Sequence, residues 1–319
     1  MIAIAIAWLL LGVVLLGLGG DSIVKAAAGL AQRFGASPFT AGLLLLGIAT
    51  SIPELAVNAR ALAMGQPELA LGNAVGSTLA NLGLTLGLAA LALPLLMRSR
   101  ALVASWSGLL LATLLLVLFG LDGHLQRWEG AVLLLVFALV LIMLLRRGRQ
   151  DAPEVQAVIA ESAFSRGGLG LNVIRLFIAA LTLYWGARLV VGAAADIGTA
   201  LGWAPLLVGL LPVAIATALP EAAAAIMAAR RGHGDMVLGH VLGSSVVNLL
   251  LVIGAMAVIQ PLALPASFVR LELPAVLAFS LVLYPMLRGD MRISRGEGGI
   301  LLAAFLGWVG LELGLALAG

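Results

Sequence analysis

The 319-residue chain is 62% hydrophobic and 10% charged, against roughly 45–50% and roughly 25% for soluble domains, so no single soluble core would bury its apolar residues. It carries no cysteine, which excludes a disulfide framework and any Cys-based metal or redox site. The net charge of +3 says little by itself; where the 18 basic residues fall says more.

A bilayer core takes about 20 mostly apolar residues to span. By that ruler the sequence predicts an all-α membrane protein of ten helices, at 2–32, 38–64, 68–95, 101–120, 127–146, 169–198, 204–230, 235–260, 268–287 and 297–318. Residues 1–20 lack a basic leading region and run on into more apolar sequence, so they read as a first span and not as a cleaved signal. Spans one and six exceed the ruler and should tilt or protrude. Asp21, late in the first span, either lines an entrance or sits near the inner headgroups. The polar stretch RRGRQDAPEVQAVIAESAFSRGG, 146–168, joins spans five and six. With the N-terminus outside, Arg60, Arg127, Arg188 and Arg270 fall at outer ends and the other fourteen of the 18 basic residues at inner ends. The positive-inside rule therefore predicts a cytoplasmic linker and both termini outside the inner membrane.

Two stretches repeat. GIATSIPE (47–54) meets AIATALPE (214–221) at an offset of 167, and GNAVGSTLAN (72–81) meets GHVLGSSVVN (239–248) at the same offset. Each half holds five predicted spans, and an odd number turns the second half upside down relative to the first. The expected organisation is a first repeat, 1–146, a linker, 147–168, and an inverted second repeat, 169–319. Secondary transporters are built this way, with the binding site near mid-membrane between the repeats.

Within the repeated stretches Pro53 and Pro220 fall in mid-span. Each removes a backbone donor and should free carbonyls near Gly47–Ala49 and Ala214–Ala216. Glu54 and Glu221 follow immediately. A charge at mid-bilayer costs about 3 kcal/mol on insertion scales and marks an ion or proton path. Thr50 and Ser51 lie within one turn before Glu54, and Thr217 one turn before Glu221; Ser77 and Asn81 share a helix face, as do Ser244 and Asn248. Every group in the set offers oxygen. Hard cations prefer oxygen, Ca²⁺ with about 6–8 flexible ligands more than Mg²⁺ with its strict octahedron. Two facing carboxylates without Ca²⁺ would take up Na⁺ or protons, the condition for antiport. Ser77 and Ser244 alone read equally well as helix-packing residues. His240, one turn before Ser244, reads as a packing or hydrogen-bonding histidine near the cytoplasmic entrance, or as a pH sensor.

These residues resemble the two alpha-repeats of the cation/calcium antiporter superfamily, closest to prokaryotic sodium/calcium exchangers. The family pattern, G-T-S-x-P-E then G-N-x-x-G-S-x-x-x-N/D, is met by ATSIPE…GNAVGSTLAN and ATALPE…GHVLGSSVVN, and GGD at 19–21 resembles the family's first-helix GSD. The resemblance implies four ion sites at mid-membrane. Thr50, Ser51, Glu54, Ser77 and Asn81 match in the first half, and Thr217, Glu221, Ser244 and Asn248 in the second. Gly47 and Ala214 stand at the carbonyl-ligand positions. A central Ca²⁺ site would use Glu54, Glu221, Thr50 and Thr217, and spans one and six would slide across the other eight. Three positions depart: Ala218 for a serine, Asn248 where sodium exchangers often have aspartate, and His240 for an asparagine.

The expected function is exchange of Ca²⁺ for Na⁺ across the inner membrane by alternating access, with Ca²⁺/H⁺ exchange as the alternative. No cofactor, nucleic acid or protein partner is implied. An intramembrane aspartyl protease would need paired aspartates in its own motif, and the deep pair here is Glu. A channel would more often form a ring by symmetry than two inverted halves.

Overall fold

The computed structural model describes residues 2–33, 51–99, 101–150, 168–288 and 291–318, with the isolated positions 153 and 157. These residues are mostly helical. The helices are α1 (Ile2–Arg33), α2 (Ile52–Ala63), α3 (Pro67–Ala92), α4 (Ala101–Phe119), α5 (Arg127–Gly148) and α6 (Leu169–Leu201). α7 (Pro205–Arg230), α8 (Gly234–Ile259), α9 (Phe268–Glu272 continuing as Leu273–Arg288) and α10 (Arg295–Ala318) follow. Nine helices among the described residues are long and apolar enough to cross a membrane; α2 is shorter, and the first half of the predicted second span, 38–50, lies outside the described residues.

Four helices contain a π-helical turn: α3 at Asn81–Thr85, α7 at Gly209–Val213, α8 at Val247–Val252 and α9 at Phe268–Glu272. Such turns shift the backbone hydrogen-bond register by one residue and are frequent at functional sites. Pro220, expected to interrupt its span, instead sits inside a continuous helix, Ala214–Arg230. The irregularity falls about two turns earlier, around Pro212.

α3, α7 and α8 form the buried centre, and small residues set their spacing. A Cβ on Gly72 would stand 2.1 Å from the Leu206 carbonyl oxygen, and one on Gly76 2.4 Å from that of Leu210, so α3 and α7 touch backbone to backbone. α5 packs on α8 through Gly130 and Gly254, and α10 on α3 through Gly298 and Gly87.

Two short antiparallel ladders close the ends of the bundle: β1 (Leu95–Leu96) with β4 (Arg292–Ile293), and β2 (His124–Leu125) with β3 (Leu262–Ala263). Shifting β1 by 167 residues gives β3, and shifting β2 by 168 gives β4. The helix starts repeat too. Glu129 accepts the Gln126 N–H at 2.7 Å ahead of α5, and Glu297 accepts the Ser294 N–H at 2.7 Å ahead of α10. Each is a capping bond that gives an otherwise orphaned donor a partner. Gly65 after α2 and Gly232 after α7 both take left-handed φ, of 70° and 79°.

α1 and α6 lie together outside this centre. α1 presents Ala5, Leu9, Val13 and Leu16 inward and Ile4, Trp8, Leu11 and Val14 outward. Gly12 and Gly186 bring the two backbones together, each Cβ position 2.9 Å from the other residue's carbonyl oxygen. The pair rests against α2 and α7.

Gly72→Ala is expected to destabilise the protein by about 1–3 kcal/mol or more, because the new methyl meets backbone and not a yielding side chain. Gly310→Ala, facing open space, is expected to be neutral. Thermal unfolding of both variants in detergent checks this.

Candidate cation site

Glu54 stands in the first turn of α2, directly after Pro53, and Glu221 sits past the middle of α7. Glu54 is 1% exposed, and its charge interacts directly with that of Glu221, whose side chain is 10% exposed. All four carboxylate oxygens lack a hydrogen-bond partner among the described residues. Two carboxylates held together in apolar surroundings repel one another and are desolvated at once, so each needs a counter-charge or a proton.

The amides stand on the π turns. Asn81 begins the turn in α3 and donates from Nδ2 to Ser244 Oγ at 3.2 Å, leaving its Oδ1 without a partner. Asn248, in the turn of α8, has neither side-chain atom partnered. Ser51 Oγ donates to Ser244 Oγ at 2.8 Å, tying the start of α2 to α8. Thr217 Oγ1 donates back to the carbonyls of Val213, at 3.0 Å, and Ala214, at 3.1 Å. Ser77 Oγ donates to Asn73 Oδ1 at 3.4 Å, and Asn73 Nδ2 donates to Asn58 Oδ1 at 2.9 Å. Gly47 and Thr50 lie outside the described residues.

Ser51, Asn81 and Ser244 thus join in one network, with Glu54 and Glu221 facing each other. Asp21 stands apart, exposed on α1 and paired with Lys25 at 2.6 Å. His240 is closer to the chemistry than a place at an entrance suggests: its Nε2 is 3.6 Å from Glu221 Oε2. The repeat offset explains the difference. Asn73, the equivalent of His240, is held by Asn58; the equivalent of Asn58 is Ala225, which offers His240 no bond. Asn58 and Asn73 were not singled out from the sequence as site residues. The signal was an asparagine within each of two successive apolar helices.

The unpartnered acceptors at the site are oxygens: those of the two carboxylates and the Oδ1 atoms of Asn81 and Asn248. Such a set fits a hard cation. No group of three His, Asp or Glu that would suit a transition metal occurs among the described residues. A recess of about 40 Å³ beside Pro53, Thr217, Pro220 and Glu221 is closed on its far side by Val13, Leu16 and Gly17 of α1.

Comparison with known proteins gives a consistent picture. The chain matches the sodium/calcium exchanger protein family twice, over residues 4–146 and 171–313. It is 33% identical over 314 residues to the protein CaxA of Alkalimonas amylolytica, covering 96% of this chain and 97% of that one. It is 31% identical over 317 residues to the inner membrane protein YrbG of Escherichia coli K12, covering 97% and 96%. Its fold is similar to the sodium-calcium exchanger NCX_Mj solved after soaking with Na⁺ and Sr²⁺, with a TM-score of 0.68 at 28% identity, covering 97% of this chain and 99% of that one. A chain that matches the family over both halves, with nine membrane-length helices among its described residues and a pair of largely buried glutamates, belongs to the sodium/calcium exchanger family of transmembrane cation antiporters.

Proposed function

We propose that this antiporter exchanges Ca²⁺ for Na⁺ across the inner membrane by alternating access. The observation that carries the reading is the facing pair Glu54 and Glu221, buried together with no hydrogen bond to any carboxylate oxygen among the described residues. Two carboxylates neutralise one Ca²⁺ or two Na⁺, so the same pair accepts either cargo and holds both poorly together. Thr50 and Thr217, the Oδ1 atoms of Asn81 and Asn248, and the carbonyls of Gly47 and Ala214 complete the central shell. Ser51, Ser77 and Ser244 flank it as monovalent-ion ligands. That a sodium-calcium exchanger of the same fold was solved with Na⁺ and with Sr²⁺, a divalent ion, supports the choice of cargo.

Ten spans in two inverted repeats, 1–146 and 169–319, joined by a cytoplasmic linker, 147–168, form the scaffold of this reading. The double family match, displaced by the same 167 residues as the sequence repeat, supports it. The paired ladders and paired capping bonds support it as well. The outer pair α1 and α6 slides across the α2–α7 face, so that the recess beside Glu221 opens to one side at a time. Both termini are outside. In a Gln150→Cys variant of this cysteine-free chain, an impermeant thiol reagent is expected to label only after cell lysis. Labelling of intact cells would reverse the orientation.

Glu54→Gln and Glu221→Gln are each expected to abolish ⁴⁵Ca²⁺ uptake into vesicles, since one carboxylate cannot balance a divalent ion at this depth. Glu68→Gln, in the first turn of α3, is expected to retain it. Uptake by both single variants at normal protein levels would refute the site.

Ca²⁺/H⁺ exchange is the second reading, favoured by two observations. His240 stands 3.6 Å from Glu221, where its protonated form competes with a cation, and Asn248 brings no third carboxylate. Ala218, buried on α7, replaces the hydroxyl that family members place near Na⁺. Ala218→Ser is expected to tighten apparent Na⁺ affinity and leave that for Ca²⁺ nearly unchanged. Na⁺ concentration series at two pH values, on wild type and variant, measure this. Exchange driven by a pH gradient without Na⁺, and without Na⁺ competition, would favour the proton reading.

A further inference from the structure

A cavity of about 320 Å³ lies away from the exchange pair, where the 202–204 turn, the first turns of α7 and α9 and the last turns of α10 meet. Trp203, Leu207, Leu271 and Leu315 give it apolar walls. Into it face two further carboxylates, Glu272 on the π turn of α9 and Glu312 on α10. They are 1% and 6% exposed. Glu272 Oε2 and Glu312 Oε1 have no hydrogen-bond partner among the described residues. The two charges act on each other, and Ser267 lies beside Glu272 on the cavity wall. No Lys or Arg lines the cavity. Arg270, two residues before Glu272, is exposed, and among the described residues neither glutamate is in an ion pair.

Nothing in the exchange chemistry uses this pair. Two buried acids with apolar neighbours and no base are costly as they stand, because neither charge is matched. In the sequence they pass as residues near span ends; in the fold they converge from different helices on one space. That space exceeds the roughly 30 Å³ of a single water several times over, enough for an ion with part of its hydration shell.

We propose that Glu272 and Glu312 hold a partly hydrated divalent cation in this cavity, a second cation site separate from Glu54 and Glu221. Two carboxylates balance its charge, Ser267 adds a hydroxyl, and water supplies the remaining ligands, as the loose shell of Ca²⁺ allows. The ion ties α9 to α10 against the beginning of α7, the helix that carries Thr217 and Glu221 farther along.

Tb³⁺, a luminescent stand-in for Ca²⁺, tests the site in the full-length protein in detergent. Trp203 on the wall and Trp308, one turn before Glu312, are placed to sensitise it. Tryptophan excitation is expected to give Tb³⁺ emission that Ca²⁺ displaces. The signal should persist in Glu54→Gln/Glu221→Gln, which lacks the exchange pair. It should be lost in Glu272→Gln/Glu312→Gln, or the half-displacing Ca²⁺ concentration should shift by roughly tenfold or more. Trp203→Phe/Trp308→Phe keeps both carboxylates and should dim the emission without moving that concentration, a control that stands even if the Gln pair does not fold. Absence of a Ca²⁺-displaceable signal in wild type, its survival in Glu272→Gln/Glu312→Gln, or its indifference to the tryptophan changes would each overturn the proposal. Loss of exchange in Glu54→Gln/Glu221→Gln with the Tb³⁺ signal intact separates the two sites.

Discussion

Two carboxylates brought face to face inside an apolar bundle set the terms for the rest of this protein. Glu54 and Glu221 come from helices far apart in sequence, and their meeting requires α2 and α7 to be held in register by neighbours that leave no slack. The backbone contacts of Gly72 and Gly76 with α7 supply part of that rigidity. The Ser51–Ser244–Asn81 network supplies another part, because it fixes an amide and two hydroxyls without using up the carboxylates. The hydrogen bonds near the pair run among the bystanders and leave the charged oxygens open. The surroundings of the pair are stiffened without occupying its oxygens.

The two halves do not carry equal duties. In the first, Ser77, Asn73 and Asn58 form a linear chain of hydrogen bonds. In the second, alanine replaces the Asn58 equivalent, the chain is missing, and His240 faces Glu221 instead. Asn81 is anchored and Asn248 is not. The repeated frame thus holds one set of polar side chains tied together by hydrogen bonds and an equivalent set left without those bonds.

Much of this was legible in the sequence. The repeat at a single offset picked out Glu54 and Glu221, because a Pro-Glu pair inside an apolar run has few structural excuses and two have fewer. Span boundaries came within a few residues for α1, α5 and α8, since hydropathy contrast marks them. The π turns were not legible: Asn81–Thr85 and Val247–Val252 differ from ordinary helix by one hydrogen-bond step and by nothing in composition. Pro220 suggested a break that a continuous helix absorbs. The burial of Glu272 and Glu312 is not legible from depth along a single span, because it depends on which neighbours lean over each end. The place of His240 along α8 likewise does not show which residue of α7 stands opposite it.

The ladders at the bundle ends carry a consequence for ancestry. Each joins a strand of the first half to one of the second, β1 to β4 and β3 to β2, and among the described residues neither half pairs its own strands. On the inverted-repeat reading, a forebear encoding a single half would have found the missing edge only in another molecule lying upside down beside it. It would have had to enter the bilayer in both orientations, with too weak a charge bias to choose. On the same reading, the bias of basic residues toward one side that the positive-inside rule assigns to this chain would date from after the halves were fused, when a fixed orientation of each first became an advantage.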